Sequence, residues 1–590
     1  MRRATGAVAR YIVDHPNVGR CHSEPLESRT LLAFVGPLPF YTPAAVGMTP
    51  RVGVGGVAPT VAPATGSADK STGYTEEGSG ARGGVVASPS PTLSAAAADG
   101  SESEPNDTAA TATPITVSPT PNIITAAITA GAPTDVDFYS FTLAARSGVF
   151  FDVDSREIGL STTLDSVLTV FNSAGTVNLG GNDDGRDFDG FVLVDDNPTL
   201  TSRDSSLYLD LAAGSYVVRV SSFGMTTGSY QLKVTSNSSY TASVPVFSSN
   251  PGAADTLYLD FDGHSATDSW NNGNPYVIPA YDLNNNEGEW TPGERKAIEN
   301  VWRVVADAYS PFALNVTTSY AGGYTPDATA FRHVIGNADG TELGDATLPL
   351  GLTLLGSYAN FGPGYKTGFT LAKNFGFAVG GAGSSGEIMS KSIELGNTAA
   401  HEFGHALGLN HYGGSNPQRT AFMHVNDFGL SRERWAAGLT SDGAGEPAVV
   451  LQDDVATISD PVNTFGYRAD DHSDTRPAAT ILSPLGSTYA ASGVIRQTAD
   501  LDYFRFAASG TTSMTLDIPE LTGHLDGELR LFDASGNLLA SSDTTGRLGT
   551  SIVFSLPSAG DYFVEVRSDG IVEGGAAAAP GEIGQYSLLI

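Results

Sequence analysis

The chain contains the same pattern twice. "TDVDFYSFTL" (134–143) returns as "ADLDYFRFAA" (499–508), and "LDSVLTVFNSAG" (164–175) as "LDGELRLFDASG" (525–536). "AGSYVVRV" (213–220) returns as "AGDYFVEV" (559–566), and "GSYQLKV" (228–234) as "GQYSLLI" (584–590). The lead-ins "NDTAATATPI" (106–115) and "SDTRPAATIL" (473–482) correspond as well. Matches in one order mean one folding unit used twice. Within each block apolar and polar residues alternate, with Tyr216, Val218 and Val220 on one face and Val217 and Arg219 on the other. Period two marks half-buried strands, and Gly or Asp-Gly turns separate them. Each unit is expected to be an all-β sandwich of about 110–135 residues.

Composition narrows the function classes. The 590 residues carry 64 acidic against 31 basic side chains, a formal charge of −33. Nucleic acid and anionic membranes both need Lys/Arg patches, so neither is expected as the main partner. The excess acid solvates the surface and offers oxygen ligands for calcium. The single cysteine, Cys21, permits no intramolecular disulfide, so large cores or bound metals must stabilise the domains. No apolar run reaches the ~18 residues of a membrane-spanning helix.

The expected layout is a leader (1–36), a flexible linker (37–100), a first sandwich (101–236), a short linker (237–255), a central domain (256–475) and a second sandwich (476–590). The linker is Ala, Gly, Pro, Ser and Thr with few large apolar residues, and cannot offset its ordering entropy. The leader has a basic start, "MRRATGAVAR", without an apolar core of signal-peptide length. Its "EPLESRTLLAFVG" (24–36) resembles the LExRxLL sorting segment of large exported bacterial proteins. That resemblance implies a secreted or cell-surface protein.

The central segment mixes helix and strand signals. "TLYLDFDG" (256–263) alternates like a strand. In "TPGERKAIENVWRVVADAYSPF" (291–312) Thr291 is the expected N-cap, Pro292 takes the first helical position and Glu294 closes a capping box. Ile298, Val301, Trp302 and Val305 form its apolar stripe, and "FALNVTT" (312–318) is the next strand. Helix feeding strand suits an α+β core.

"HEFGHALGLNH" (401–411) holds three of the chain's ten histidines. His401 and His405 are one helical turn apart and share a face. His411 would point away if the helix continued, so the helix must end between them. Gly408 supplies the residue that adopts a left-handed C-terminal turn cheaply. Three imidazoles with an open fourth position describe a catalytic zinc site. Glu402, beside the first ligand, is the expected general base. Asn397 is read as the N-cap of this helix.

HExxHxxGxxH resembles the metzincin clan of zinc metalloendopeptidases. The resemblance implies a zincin-type core, one catalytic Zn2+ and a methionine turn beneath the metal, for which "RTAFMHVND" supplies Met423. In one bacterial group of such peptidases a tyrosine closely follows that methionine. Here His424 and Val425 stand there, so no tyrosine ligand is carried over. The two repeats resemble the bacterial pre-peptidase C-terminal (PPC) domain, through "EPNDTAATA", "DVDFYSF" and "AGSYVVRV" in the first copy. The second lacks EPND and has "RADDHSDT". Related modules of collagenase-type enzymes bind calcium and matrix fibres. That likeness implies Glu104, Asn106, Asp107, Asp135 and Asp137 as candidate Ca2+ ligands; the alternative is that they cap turns ahead of a strand.

Three further features rank lower. Asp282, Asn284 and Asn286 have calcium-loop spacing but lack the glycine and final acid of an EF-hand, and read as an Asx-rich turn. His472 sits among acids in what reads as an interdomain linker. Cys21 shares only its residue type with the latency cysteine of metzincin propeptides.

The fold class expected is therefore multidomain, an α+β zincin/metzincin core flanked by two all-β jelly-roll-like sandwiches. The function expected is exported zinc-dependent hydrolysis of protein or peptide substrates. Two alternatives belong to other classes: an adhesion protein gripping extracellular matrix or cell-wall polymer with a non-catalytic core, and a hydrolase of non-peptide amides.

Overall fold

The computed structural model describes residues 11–13 and 100–590 apart from short gaps, the longest being 184–203, 376–387, 413–420, 425–432 and 570–581. Most of the leader and linker, Cys21 included, lies outside the described residues. The protein is multidomain and mostly β.

Two five-stranded sheets make the first sandwich. One has the order 113–114, 137–143, 214–222, 166–172, 178–182, and the other 100–101, 122–128, 228–237, 147–154, 206–211. Alternation does what it promises: in Asp137–Leu143 the residues Asp137, Tyr139, Phe141 and Leu143 are buried and the others are not. The inward faces form a self-contained core that includes Phe151, Leu168, Val218 and Leu232. The second sandwich repeats the first sheet's order as 480–481, 501–508, 560–568, 527–533, 538–542. Its other sheet has four strands, 490–495, 584–589, 511–517 and 550–555.

Between them lies a mixed sheet with helices. We label β1 (Asp255–Asp260), α1 (Pro292–Ala308), β2 (Leu314–Thr317), β3 (Ala330–Gly336), β4 (Gly351–Leu354), β5 (Thr367–Leu371) and α2 (Ile388–Ala406). The sheet order is β4-β5-β3-β1-β2, with β4 antiparallel to β5 and the other pairings parallel. Residues 11–13 add a short antiparallel strand outside β4. Thr291 caps α1 with a full capping box: its hydroxyl accepts from Glu294 N, and the Glu294 carboxylate accepts from Thr291 N. Ile298, Val301 and Val305 are fully buried; Trp302 is partly covered, stacks on Phe247 and donates its indole N–H to Val316 O.

Helix α2 starts well before the expected cap. Asn397 lies in its middle, buried, with Ile388 as the first helical residue. The cause is packing rather than local preference. At Gly396 a Cβ would come within 2.8 Å of Val304, so glycine lets α1 and α2 approach closely, and Asn300 bonds Ser392 across the pair. Tertiary contact extends the helix past a residue whose side chain would otherwise cap it.

The second sandwich shares one continuous hydrophobic core with the central domain, through residues such as Leu516, Ile518, Leu525 and Ile583. The first sandwich contributes Tyr208, whose ring lies on Pro292 and Gly293 at the start of α1. No helix of the described residues is long and apolar enough to cross a membrane.

Burial leaves several carboxyls with raised pKa values. Asp137 and Asp502 are each pushed up to about 8 and Asp454 to about 7, in every case first by desolvation. In the unfolded chain such groups titrate near ~3.9. The folded state thus keeps protons that the unfolded chain releases. Their contribution to stability is complete below pH ~4 and is lost as pH rises through 7 to 8. Half-buried His264 and buried His333, depressed to about 4 and about 3, act oppositely, but only up to pH ~6.5. In chelator, thermal unfolding followed by circular dichroism should therefore move to lower temperature between pH 6.5 and 8.5, and Asp454→Asn should make that fall shallower.

Candidate metal centre and acidic clusters

His401 and His405 project from the last turns of α2. The helix stops in a Schellman turn: Gly408 has φ +102°, Leu409 N donates to Gly404 O and Gly408 N to His405 O. The reversal brings His411 back so that its Nε2 lies 3.1 Å from Nε2 of both His401 and His405. Second partners set the ring orientations. Nδ1 of His401 faces Phe422 O, and Nδ1 of His405 is 2.7 Å from Leu409 O. With both Nδ1 atoms donating to carbonyls, both Nε2 atoms present lone pairs inward. One proton on His411 serves only one of these two neighbours well, whereas a divalent cation satisfies all three. Nitrogens at ~2.0–2.1 Å from a tetrahedral zinc stand roughly 3.3 Å apart, close to the spacing found. The donor set therefore fits zinc.

Met423 lies below the helix. A Cβ added at Gly404 would stand 2.9 Å from its sulfur, and Met423 O accepts from Tyr412 N. Tyr412, next to His411, donates to Asp454 at 2.6 Å, tying the third histidine's segment to the short helix Asp454–Ile458. His424 is buried, and Val425 lies outside the described residues.

Glu402 is fully buried. Its carboxylate lies against Gly351 at the start of strand β4, where an added Cβ would meet Glu402 Oε1 and Cγ at 2.7 Å. The acid thus occupies space that only glycine leaves open. Spacing on α2 does not reveal this contact, because Gly351 is fifty residues upstream of the motif.

In the first sandwich the structure brings Glu104 and Asp137 together with Glu102, which sequence reasoning missed. Their ligand oxygens lie within 4.8 Å of one another. Asp137 Oδ2 accepts from Tyr230 at 2.5 Å, while Asp137 Oδ1 and Asn106 Oδ1 are buried without a hydrogen-bond donor. Burial and the neighbouring acids Glu102, Asp135 and Glu104 raise Asp137, and burial chiefly raises Glu102. A cation would relieve both effects. Asp107 and Asp135 are not in that group: Asp135 accepts from Thr129 N and Oγ1, and Asp107 from Val136 N. These two act as turn caps.

A second cluster, Asp470, Asp500 and Asp502, occupies the matching place in the second sandwich, with Tyr586 bonded to Asp502 as Tyr230 is to Asp137. Here Arg496 supplies positive charge, 3.4 Å from Asp470 and 3.1 Å from Asp500. His472 is no part of it. Its ring nitrogens face Thr480 Oγ1 and Ser492 O, and the ring lies on Phe504. Asp282, Asn284 and Asn286 form consecutive Asx turns, each side chain but the last accepting the N–H two residues on.

Residues 500–568 match the model of the bacterial pre-peptidase C-terminal domain. The second sandwich is a domain of that family. A probable subtilase-type serine protease of Deinococcus radiodurans is 31% identical over 144 residues, 24% of this chain. The chain spans only 20% of that relative's length. Among solved structures, the pre-peptidase C-terminal domain of Bacillus anthracis collagenase is similar at 16% identity over 21% of this chain and 93% of that one, with a TM-score of 0.15. Aeromonas hydrophila PliG, a periplasmic inhibitor of g-type lysozyme, is similar at 19% identity over 19% and 94%, also at 0.15. Scores this low carry no argument for the whole chain. The serine protease is a distant relative, matched over a quarter of this chain.

The Gly351 contact generates a test. Gly351→Ala must displace the Glu402 carboxylate while leaving the three histidines in place. It should lower kcat by roughly 10- to 100-fold with bound zinc, measured by metal analysis, unchanged.

Proposed function

We propose that the protein is an exported zinc-dependent endopeptidase of metzincin type, with His401, His405 and His411 as the metal ligands and Glu402 as the general base. The observation that carries this reading is the convergence of three Nε2 atoms, that of His411 3.1 Å from each of the other two, beside a buried acid. Bound zinc supplies Lewis acidity and lowers the pKa of a ligand water toward neutrality. The protein's own groups do the rest. Phe422 O and Leu409 O hold two imidazoles in the tautomer that leaves Nε2 unprotonated. Glu402 takes a proton from the attacking water and delivers it to the leaving amine. Met423 packs under α2 as the methionine turn. No Ser, Cys or Thr nucleophile is needed, which separates this chemistry from that of the serine protease relative.

The substrate class proposed is protein or peptide, and the setting secreted or cell-surface. The LExRxLL-like segment and a domain type whose name ties it to peptidases support this. We also assign a calcium ion to Glu102, Glu104, Asn106 and Asp137 of the first sandwich, because two buried oxygens there lack donors.

Glu402→Ala should retain one equivalent of zinc and lose at least about 1,000-fold in the cleavage rate of a denatured protein mixture, which peptide sequencing of the products would follow. Turnover equal to wild type would remove Glu402 from the mechanism; loss of zinc as well would make it structural. For the calcium site, calorimetry should show heat of binding with the wild type and none with Asp137→Asn, and calcium should raise the unfolding temperature of the wild type alone.

A further inference from the structure

The residue that orients the first metal ligand is itself held by the second sandwich. Phe422 O accepts from His401 Nδ1, so the position of this one carbonyl fixes the ring of a ligand. Phe422 N donates to Arg434 O at 3.0 Å. The Arg434 guanidinium bonds Glu582 Oε1 at 2.8 Å, with side chains only 8% and 2% exposed, and Glu582 belongs to the second sandwich. A separate contact reaches the same residue: the His524 ring, also from the second sandwich, packs 5.2 Å from the Phe422 ring. His524 is fixed in turn, with Nδ1 2.7 Å from Glu433 O and its backbone N–H donated to Asp307 of α1 at 2.8 Å. Gln585 N adds a second bond to Asp307 at 3.3 Å.

We infer that the pre-peptidase C-terminal domain is a structural part of the zinc centre, and that Glu582, Arg434 and His524 are positioning residues acting on His401 through Phe422. The inference rests on the zinc reading proposed above. Three features set this arrangement apart from ordinary domain packing. The contacts converge on Phe422, whose carbonyl orients the first ligand. The ion pair is buried, so removing one partner perturbs the residue it holds more than a surface pair would. The two domains also share one apolar core, whereas the core of the first sandwich is its own. Glu582, Arg434, Phe422 and His401 are linked by successive hydrogen bonds.

The test uses the full chain and reads the metal rather than cleavage. Zinc affinity is measured by chelator competition, and the cobalt-substituted protein by its visible d–d absorption. Glu582→Gln and His524→Gln, each checked for native near-ultraviolet circular dichroism, should bind zinc about 10-fold more weakly and shift the cobalt bands. Met514→Ala serves as a control. It cuts the core of the same sandwich without removing any of these bonds, and should lower the unfolding temperature while leaving affinity and bands unchanged below it. Variants within twofold of wild type and with unshifted bands overturn the coupling. So does a Met514→Ala band shift equal to theirs, since any loosening of the sandwich would then suffice. A wild type that binds no zinc overturns the zinc reading and this inference together. A Glu582→Gln chain that fails to fold leaves His524→Gln, which keeps the backbone bond to Asp307, to decide.

Discussion

Nε2 of His411 stands 3.1 Å from Nε2 of both His401 and His405, and one proton cannot serve both contacts. The protein spends structure to hold the three rings so. Gly408 does the first part, because a left-handed residue reverses the chain within the helix's last hydrogen-bonded turn. Two carbonyls do the second by fixing Nδ1 of His401 and His405. The third falls to the packing around α2, where Gly396 admits α1 and Gly404 admits Met423. Sheet, neighbouring helix and Met423 all meet at this short stretch of chain.

Local spacing made much of this legible. The one-turn interval of His401 and His405, the need for a break before His411, the capping box at Thr291 and the alternating strands all follow from periodicities of a few residues. Asn397 was misplaced as a cap because side-chain preference speaks only for the isolated segment, and the extra turns of α2 come from its contact with α1. Glu102 escaped notice because its role depends on where strand Asp137–Leu143 brings Asp137, thirty-five residues later. Gly351 and the Phe422 support are non-local in the same sense. They leave no period in the sequence.

The two sandwiches show one problem solved twice. Each buries an aspartate at the start of an equivalent strand and bonds it to a tyrosine from the last strand of the unit. The second copy places Arg496 against its acids. At the corresponding place in the sequence the first copy has Gly131, which lies outside the described residues. In both copies desolvation pushes the buried aspartate up to about 8, so the repeat conserves this raised acid together with its strand order.

The order in which the chain is made gives the buried Arg434–Glu582 pair another meaning. Glu582 follows His411 by roughly 170 residues, about ten to thirty seconds of synthesis at ordinary ribosomal rates. Throughout that interval the histidines exist without the domain that packs beneath them. The central domain alone has one side of its core open, because that side is completed by Leu516, Ile518, Leu525 and Ile583. A zinc centre of the kind proposed would therefore mature late, after the polypeptide carrying its three histidines has moved well clear of the ribosome.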